Sequence, residues 1–251
     1  MFKVSVKGLV LFVTGVSKKN GIGYALSEEA IQRGAKKIYV TARNISQLSD
    51  LVKKYPQQIT PLKLDVTNLD EVKKTSKIAT DTDILINNAG LAGSSGCMDN
   101  YNEELAKQEM EINYFAPLRL MNELSKTITS SKKGAVVNII SIGGLYPSPA
   151  HVTYSASKAA LYSSTQAARI EMKIKGINIP IFGVYPGPIA TDMTKDIRAM
   201  KESTENLAKR VFDAMEKGVL DITTDELSDH FKSFLEKDAK TIKELKKAFS
   251  K

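Results

Sequence analysis

The sequence predicts an α/β fold in which one doubly wound, mainly parallel sheet carries helices on both faces, as a single domain over residues 1–251. Short apolar segments alternate with longer helical patterns, which is typical of this fold class. Most of the short segments are apolar throughout, as expected for strands that helices cover on both sides. The sequence has no internal repeat and no linker rich in Pro, Gly or Ser. Right-handed crossovers between successive strands then give one continuous sheet.

The predicted elements follow one another along the chain. β-branched and apolar residues predict strands at 9–14, 37–41, 59–64, 84–87, 135–141 and 178–185. Amphipathic spacing predicts helices at 22–33, 44–54, 103–129 and 153–175, and a further helix that begins near residue 204.

Two segments depart from this alternation. Residues 186–203 hold prolines, a glycine and small residues, and we expect them to form a substrate loop or lid. Residues 225–251 are predicted to form a basic, helical C-terminal tail, in which 232–251 carry seven lysines and three acids. A membrane-surface or partner helix is one interpretation. A helix that docks an apolar stripe on the body is favoured, because apolar residues recur at helical spacing: Phe234, Leu235, Ile242, Leu245 and Phe249.

Composition excludes several classes of protein. The net charge of +8, from 36 basic and 28 acidic residues, is below that of a dedicated nucleic-acid binder. The single cysteine, Cys97, excludes an internal disulfide framework, and two histidines are too few for a histidine-built metal centre, so no metal is expected. No apolar run approaches the roughly 18 residues that a membrane helix needs, and we expect a cytoplasmic protein.

A glycine-rich turn follows the first predicted strand. The segment from Thr14 to Gly23 reads TGVSKKNGIG and leads into the first helix. Such a turn lets the backbone approach a pyrophosphate at the helix N-terminus, where unpaired N–H groups point outward. A tight turn with close helix packing would select the same glycines. The position of the turn at the start of an α/β chain favours nucleotide binding.

The end of the second strand bears on the choice of cofactor. An acid there would hydrogen-bond an adenosine ribose, whereas an arginine accommodates a 2′-phosphate. The strand here ends in Arg43 with no acid beside it, and Lys18 in the glycine-rich turn adds positive charge. Arg43 as a solvated surface residue is the alternative. We therefore predict NADP(H) rather than NAD(H).

The strongest chemical pattern lies further along the chain. Tyr154 and Lys158 are four residues apart in a predicted helix, so they share one helix face. A nearby ammonium group favours tyrosinate, and we expect Lys158 to lower the pKa of Tyr154. Such a phenol can donate a proton to a carbonyl oxygen as hydride reaches the carbon, and Ser141 can hydrogen-bond the same oxygen.

Together these motifs resemble the short-chain dehydrogenase/reductase superfamily, in its NADP(H)-preferring branch. The resemblance spans Thr14 to about Met193 and implies a Rossmann-like fold. It rests on seven motifs in the family's order: Thr14-Gly15 with Gly21-x-Gly23, Asp65-Val66, Asn87-Asn-Ala-Gly90, Asn113, Ser141, Tyr154-x-x-x-Lys158 and Pro186-Gly187 with Thr191.

The resemblance implies roles for the matching residues. Tyr154 would be the general acid or base, Lys158 would bind the nicotinamide ribose, and Ser141 would orient the substrate oxygen. Asn113 would hold a water in a proton relay. The implied cofactor contacts are Gly15, Ser17, Lys18, Asn20, Gly21, Ile22, Gly23, Arg43, Asp65, Val66, Asn87, Ala89, Gly90, Tyr154, Lys158, Pro186, Gly187, Ile189 and Thr191. The implied substrate contacts are Ser141, Leu145, Tyr146, Tyr154 and Met193.

Two departures from the family pattern affect these expectations. Five residues separate Gly15 from Gly21, where the family usually has three, so the positions of Lys18, Lys19 and Asn20 against the phosphates are open. The Asp-Gly-Gly segment of many tetrameric relatives is absent from the sequence after its last predicted strand. That absence favours a homodimer through the two long helices.

The function that these residues predict is NADPH-dependent reduction of a ketone or aldehyde carbonyl. A small hydrophobic substrate is expected, because the implied substrate contacts include Leu145, Tyr146 and Met193. An alcohol or hydroxysteroid dehydrogenase that works oxidatively with NADP uses the same residues and is the first alternative. A non-catalytic NADP(H)-binding regulator is the second. Such a regulator would be expected to lose Ser141, Tyr154 or Lys158, and all three are present.

Overall fold

The chain, in a computed structural model that describes residues 2–194 and 201–249, folds around one parallel sheet. Within these residues the sheet has seven strands in the order β3-β2-β1-β4-β5-β6-β7. The strands are β1 Val10–Val13, β2 Lys37–Ala42, β3 Ile59–Lys63, β4 Ile84–Asn87, β5 Ala135–Ile139, β6 Ile181–Tyr185 and β7 Asp221–Thr223. The order reverses between β1 and β4, which is where α/β sheets open a crevice for ligands.

Helices cover both faces of the sheet. They are α1 Ile22–Gln32, α2 Ser49–Lys54, α3 Leu69–Ile78, α4 Glu103–Met110, α5 Ala116–Ser130, α6 Val152–Ile174, α7 Thr204–Lys217, α8 Glu226–Asp229 and α9 Lys232–Phe249. The apolar residues of α1 and α7 pack in the core on one face, and those of α3, α5 and α6 pack on the other. The predicted fold class is confirmed.

The structure adds two elements that the sequence patterns did not predict, α3 and β7, and it shortens four of the predicted strands, β1, β3, β5 and β6. The sixth strand begins at Ile181 rather than at residue 178. The sequence patterns did not predict helix α3. Its N-cap is Asn68, whose side chain accepts hydrogen bonds from the N–H groups of Asp70 and Glu71, and an asparagine there is a typical start of a helix. Strand β7 has only three residues, and its first is the charged Asp221.

The helix predicted at 103–129 contains a π-helical turn. This turn, Glu111–Phe115, joins α4 to α5 and holds the fully buried Asn113. π-Helical turns are rare and occur mostly as single turns at functional sites. The turn therefore marks this helix as part of a candidate site.

Within residues 225–251, which the sequence analysis expects to form a basic helical tail, the structure has the short helix α8 and the longer helix α9. Leu235 is buried and packs with Ile140, Leu161 and Tyr185, whereas Phe234 is about half exposed. The side chains of Ile242, Leu245 and Phe249 lie outside the described residues, so the expected apolar stripe can be followed only at its start. In the part of the chain that the structure describes, no helix combines the length and apolar character needed to cross a bilayer.

Candidate active site

A cleft of about 670 Å³ opens at the carboxyl ends of β1, β2, β3 and β4. We call it the switch-point cleft, because it lies where the strand order reverses. Most of the predicted cofactor contacts line it: Gly15, Ser17, Lys18, Asn20, Gly21, Ile22, Arg43, Asp65, Val66, Ala89, Gly90 and Thr191. A larger cavity of about 1110 Å³ between α6, α7 and α9 contains none of the predicted site residues. The candidate site is therefore the smaller cleft.

The glycine-rich turn has the geometry that close approach to a phosphate requires. Gly15 has a φ of +70°, and a Cβ on it would lie 2.7 Å from the Cα of Ala89. The N-cap of α1 is Gly21, so no side chain caps this helix, and its first turn holds no acid. The positive end of the helix dipole thus faces the cleft without a competing carboxylate of its own. These residues fit the pyrophosphate of a dinucleotide.

Two residues of the lengthened turn, Lys18 and Asn20, contact the segment that follows β6. Lys18 Nζ lies 3.2 Å from Asp192 Oδ2, and Asn20 Nδ2 donates to Asp192 Oδ1 at 2.8 Å. The Lys18 and Asp192 side chains are both more than half exposed. Asp192, which the sequence analysis did not single out, therefore joins the two walls of the switch-point cleft.

Residues at the ends of β2 and β3 line the switch-point cleft. Arg43 is exposed and lines the cleft. Asp65 Oδ1 accepts hydrogen bonds from Thr67 N at 3.0 Å and from Thr67 Oγ1 at 2.7 Å, so its carboxylate is held by its own turn. Val66 is nearly buried beside it. The arrangement leaves the Arg43 guanidinium at the rim, where a 2′-phosphate would meet it.

The side chains of Asn87 and Ile189 are both buried and do not line the switch-point cleft, whereas the contact that the resemblance implies for Ile189 is through its backbone. Asn87 is buried within the sheet and donates to Asn138 Oδ1 at 2.8 Å, because the last residue of β4 points away from the cleft. Its neighbour Asn88 lines the cleft instead and donates to Thr14 O at 2.7 Å and Gly15 O at 3.0 Å. The side chain of Ile189 is 2% exposed and belongs to the core.

Two further glycines among the predicted cofactor contacts, Gly23 and Gly187, lie close to polar side chains. Gly23 is buried, and a Cβ there would lie 2.5 Å from Asn88 Nδ2. Gly187 N donates to Asp225 Oδ2 at 2.8 Å, which holds the Pro186-Gly187 turn against the N-cap of α8. Asp225 is a further residue that the sequence patterns did not indicate.

Ser141, Tyr154 and Lys158 come together beside the cleft. Ser141 follows β5, and its Oγ accepts a hydrogen bond from Gly143 N at 3.0 Å and donates one to Pro186 O at 3.4 Å. A Cβ on Gly143 would lie 3.3 Å from Ser141 Oγ and 3.4 Å from Tyr154 Cε1, so the two side chains lie close together. Lys158 is 4% exposed, lies with its Nζ 5.8 Å from the centroid of the Tyr154 ring, and donates to Ile139 O at 2.8 Å. The group therefore offers a hydroxyl and a phenol to one substrate oxygen.

The expected lowering of the Tyr154 pKa is wrong for this structure. Burial raises the pKa of Tyr154, whereas the neighbouring hydroxyl of Ser141 lowers it. Burial also lowers the pKa of Lys158 to about 8. The sequence indicated the spacing of Tyr154 and Lys158 but contained no signal that Lys158 would be buried and Tyr154 partly buried.

Asn113 links the π-helical turn to both the cleft and Tyr154's helix. Its Oδ1 accepts from Leu91 N at 2.9 Å, and its Nδ2 donates to Leu91 O at 2.7 Å and to Ser157 Oγ at 2.9 Å. A Cβ on Gly90 would lie 3.2 Å from Asn113 Oδ1 and 3.6 Å from Lys158 Nζ. Asn113, Gly90 and Lys158 are thus neighbours, as the resemblance implies.

The predicted substrate contacts differ in how far their side chains are exposed. Leu145 is partly buried, whereas Tyr146 is 69% exposed with its ring 6.4 Å from that of Phe231. Met193 is about half exposed and lines the cleft. Of the predicted substrate loop, residues 195–200 lie outside the described residues.

Glu109 is the functional candidate that sequence reasoning missed. It is fully buried in α4, and its Oε1 accepts from Gly93 N at 2.8 Å. A glutamate in a predicted amphipathic helix is expected on the exposed face, so the sequence patterns did not predict Glu109 as a site residue. Its position four residues before Asn113, on the same helix face, is the signal that could have found it.

Comparisons with known proteins agree with this geometry. A family model described as short chain dehydrogenase matches residues 9–202. The chain is 30% identical over 210 residues to the 3-oxoacyl-[acyl-carrier-protein] reductase FabG of Vibrio cholerae, with 82% of this chain and 83% of that protein covered. It is also 30% identical over 184 residues to the short-chain dehydrogenase RED1 of Pyricularia oryzae, with 71% of this chain and 62% of that protein covered.

Solved structures give the same result over more of the chain. A short chain dehydrogenase from Burkholderia cenocepacia in complex with NADP superposes with a TM-score of 0.84 and 31% identity. The superposition covers 95% of this chain and 97% of that one. The family model matches residues 9–202, which is more than half of the chain, and the parallel sheet with its cleft and glycine-rich turn agrees with that match. This chain therefore belongs to the short-chain dehydrogenase family.

Proposed function

We propose that this protein is an NADP(H)-dependent oxidoreductase that reduces the carbonyl of a small, hydrophobic ketone or aldehyde. The observation that carries the proposal is the placement of Ser141 and Tyr154 side by side at Gly143, where a Cβ would lie 3.3 Å from Ser141 Oγ and 3.4 Å from Tyr154 Cε1, with the buried Lys158 beside Tyr154. Family membership supports action on CH–OH or C=O groups. Leu145, Tyr146 and Met193, the side chains that the resemblance implies as substrate contacts, support an apolar substrate, and Met193 lines the cleft.

The cofactor would be held along the switch-point cleft. Gly15 and the uncapped start of α1 would receive the pyrophosphate, Arg43 the 2′-phosphate, and Asp65 and Val66 would border the adenine. NADPH supplies the hydride when bound. The NADP in the Burkholderia cenocepacia relative supports this choice.

The protein's own residues would supply the proton. Tyr154 would donate its phenolic proton to the substrate oxygen, and Ser141 would hydrogen-bond the same oxygen and fix its position. Because burial raises the pKa of Tyr154, the phenol is protonated at neutral pH, as an acid must be. Alcohol oxidation requires the phenolate, which the same burial disfavours.

Asn113 and Lys158 would complete the proton path. Asn113 holds the backbone of Leu91 and the hydroxyl of Ser157, so it fixes the segment beside Lys158. Lys158, with its pKa lowered to about 8, would bind the ribose hydroxyls and return a proton to Tyr154 after each turnover.

The test of the function is consumption of NADPH and NADH, in parallel, with a panel of ketones, diketones, quinones and aldehydes. We expect turnover with NADPH that disappears in Tyr154→Phe. If NADPH binds but neither reduced cofactor is consumed with any carbonyl, and NADP⁺ is not reduced with the matching alcohols, the protein is a binding regulator and the proposal is wrong.

Replacing Arg43 with Asp should shift the cofactor preference towards NADH. The change removes a charge-assisted contact with the 2′-phosphate and places an acid beside the ribose. A charge-assisted hydrogen bond is worth about 1.5–3 kcal/mol, so we expect the NADPH-to-NADH ratio of kcat/KM to fall by roughly 10–100-fold. Steady-state kinetics with each cofactor measures the ratio.

The control for Arg43→Asp is Lys77→Asp. It makes the same change of net charge on the exposed face of α3, outside the switch-point cleft. An equal fall in both variants, or none in Arg43→Asp, would show that Arg43 does not contact the 2′-phosphate.

We propose further that the protein is a homodimer. The exposed Phe115, between α4 and α5, and the exposed Ile174, at the end of α6, support association through these long helices. Sedimentation equilibrium should give twice the chain mass of 27.5 kDa. A mass of one chain at micromolar concentration would contradict the homodimer.

A further inference from the structure

Asp225 is a buried acid outside the switch-point cleft, and both of its carboxyl oxygens accept hydrogen bonds. Oδ1 accepts from Ser228 N at 2.9 Å, which makes Asp225 the N-cap of α8. Oδ2 accepts from Gly187 N at 2.8 Å and from Thr224 Oγ1 at 2.9 Å. A serine would cap the helix with its one oxygen. The second oxygen, which reaches Gly187, therefore needs another reason.

The glycine at position 187 makes room for this carboxyl group. A Cβ on Gly187 would lie 2.4 Å from Asp225 Oδ1 and 3.2 Å from Asp225 Oδ2, and the first of these distances is too short for atoms that are not bonded. Gly187 is not among the glycines with a positive φ, so its backbone conformation alone would admit another residue. The close approach of Asp225 is what requires a glycine here.

The peptide group between Pro186 and Gly187 connects Asp225 to the proposed active site. Its N–H donates to Asp225, and its carbonyl oxygen, Pro186 O, accepts from Ile142 N at 3.0 Å and from Ser141 Oγ at 3.4 Å. The peptide is trans, so its N–H and C=O groups point in opposite directions. Asp225 thus holds one side of the peptide, and the residues that follow β5 contact the other side.

The hydroxyl of Ser141 is held in place but is not bound tightly. Its Oγ accepts from Gly143 N at 3.0 Å, and this bond fixes the oxygen. The bond that it donates to Pro186 O, at 3.4 Å, is long beside the roughly 2.7–2.8 Å typical of hydroxyl donors. The proton can therefore turn from Pro186 O to a substrate oxygen at little cost.

We propose that Asp225 is a positioning residue that acts on Ser141 through the peptide between Pro186 and Gly187. By fixing the plane of this peptide, Asp225 fixes Pro186 O and with it the direction of the Ser141 hydroxyl. This role rests on the proposed function, because it takes Ser141 as the residue that binds the substrate oxygen. It makes the reaction depend on a side chain at the start of α8, outside the switch-point cleft.

Three substitutions separate this role from that of a helix cap. In Asp225→Asn the amide oxygen can still accept from Ser228 N, but the amide nitrogen cannot accept from Gly187 N. Asp225→Ser also keeps a cap and withdraws from Gly187, and it replaces Asp225→Asn if that variant does not fold. Ser228→Ala is the matched control, because it removes the hydroxyl that accepts from Thr224 N and Asp225 N but leaves Asp225 on Gly187.

The first readout is NMR of the backbone amides, which needs neither cofactor nor turnover. We expect the signals of Gly187 and Ile142 both to move in Asp225→Asn. Gly187 N loses its acceptor, and Ile142 N donates to a carbonyl whose peptide has turned. In Ser228→Ala the Ile142 signal should stay where it is in the wild type. An Ile142 signal that stays in place while that of Gly187 moves, or one that moves as far in Ser228→Ala, would overturn the proposal.

The second readout is a double-mutant cycle between Asp225 and Ser141. Asp225→Asn should lower kcat for carbonyl reduction about 10–100-fold and leave KM for the carbonyl within a few-fold of wild type. The reason is that a hydrogen bond to the substrate oxygen strengthens as negative charge develops there. In the Ser141→Ala background the same change should cause no further loss, because both act through one hydroxyl.

Losses that multiply in the double variant would overturn the proposal, since Asp225 would then act independently of Ser141. A rise of KM with kcat unchanged in Asp225→Asn would overturn it as well. If the wild type reduces no carbonyl, the proposed function fails. The amide signals then still decide whether Asp225 positions the residues that follow β5, so the two failures are distinguishable.

Discussion

Tyr154→Phe should lose about 10²–10⁴-fold in turnover while the affinity for NADPH stays close to that of the wild type. The size of the loss is that of a general acid whose proton has no replacement. The phenylalanine ring keeps the packing of tyrosine and its place beside Lys158, so the fold and the cleft should not change. Steady-state kinetics gives the turnover, and fluorescence titration with NADPH gives the affinity.

Tyr162→Phe is the control for this result. Tyr162 lies on the same helix, two turns further along, and its hydroxyl bonds to Asp238 rather than to a group of the site. Its removal should leave turnover within a few-fold of wild type. Equal losses of turnover and NADPH affinity in Tyr154→Phe would mean that Tyr154 has a structural role and would remove the basis of the proposed chemistry.

Asp221→Ala should be the most destabilising change outside the site. Asp221 Oδ2 lies 2.9 Å from Arg169 Nη1, and its Oδ1 accepts from the buried Tyr185 hydroxyl at 2.7 Å. Both charged side chains are nearly buried, at 11% and 12% exposed. Breaking one partner of such a pair leaves a buried charge uncompensated, which costs about 3–5 kcal/mol of unfolding free energy. Urea denaturation of both proteins measures the difference.

The matched control is Asp213→Ala. Asp213 forms a salt bridge of similar length, 2.7 Å to Arg33 Nη2, but its side chain is about half exposed. Surface pairs contribute about 0–1 kcal/mol, so this variant should be close to wild type in stability. If Asp221→Ala also loses less than about 1 kcal/mol of unfolding free energy, then burial does not make the Asp221 and Arg169 pair more important for stability than a surface pair.

The sequence patterns predicted most of the sheet because each of the first six strands is a local apolar run. They also predicted the meeting of Ser141, Tyr154 and the glycine-rich turn, since parallel strands bring their carboxyl ends to one edge. Strand β7 could not be predicted in the same way. Its charged first residue becomes acceptable only because Arg169, 52 residues earlier in the chain, lies beside it.

Errors within the site have equally physical causes. Whether Asn87 or Asn88 faces the cleft depends on where β4 ends, because side chains alternate along a strand. The contact of Asp192 with Lys18 and Asn20 joins residues more than 170 positions apart. The pKa of Tyr154 depends on burial, and burial depends on every element that packs around it. None of these follows from a local pattern of residues.

The π-helical turn between α4 and α5 makes the number of residues in this helix as important as their identity. Each residue of an α-helix advances the chain by about 1.5 Å and turns it by about 100°. A deletion of one residue within Glu111–Phe115 would restore a regular α-helix and rotate α5 by that angle relative to α4. Glu109 and Asn113 could then no longer both form hydrogen bonds to the segment after β4 while α5 remained packed on the sheet. We therefore expect homologues that keep both hydrogen bonds to differ in the sequence of this π-helical turn but not in its length.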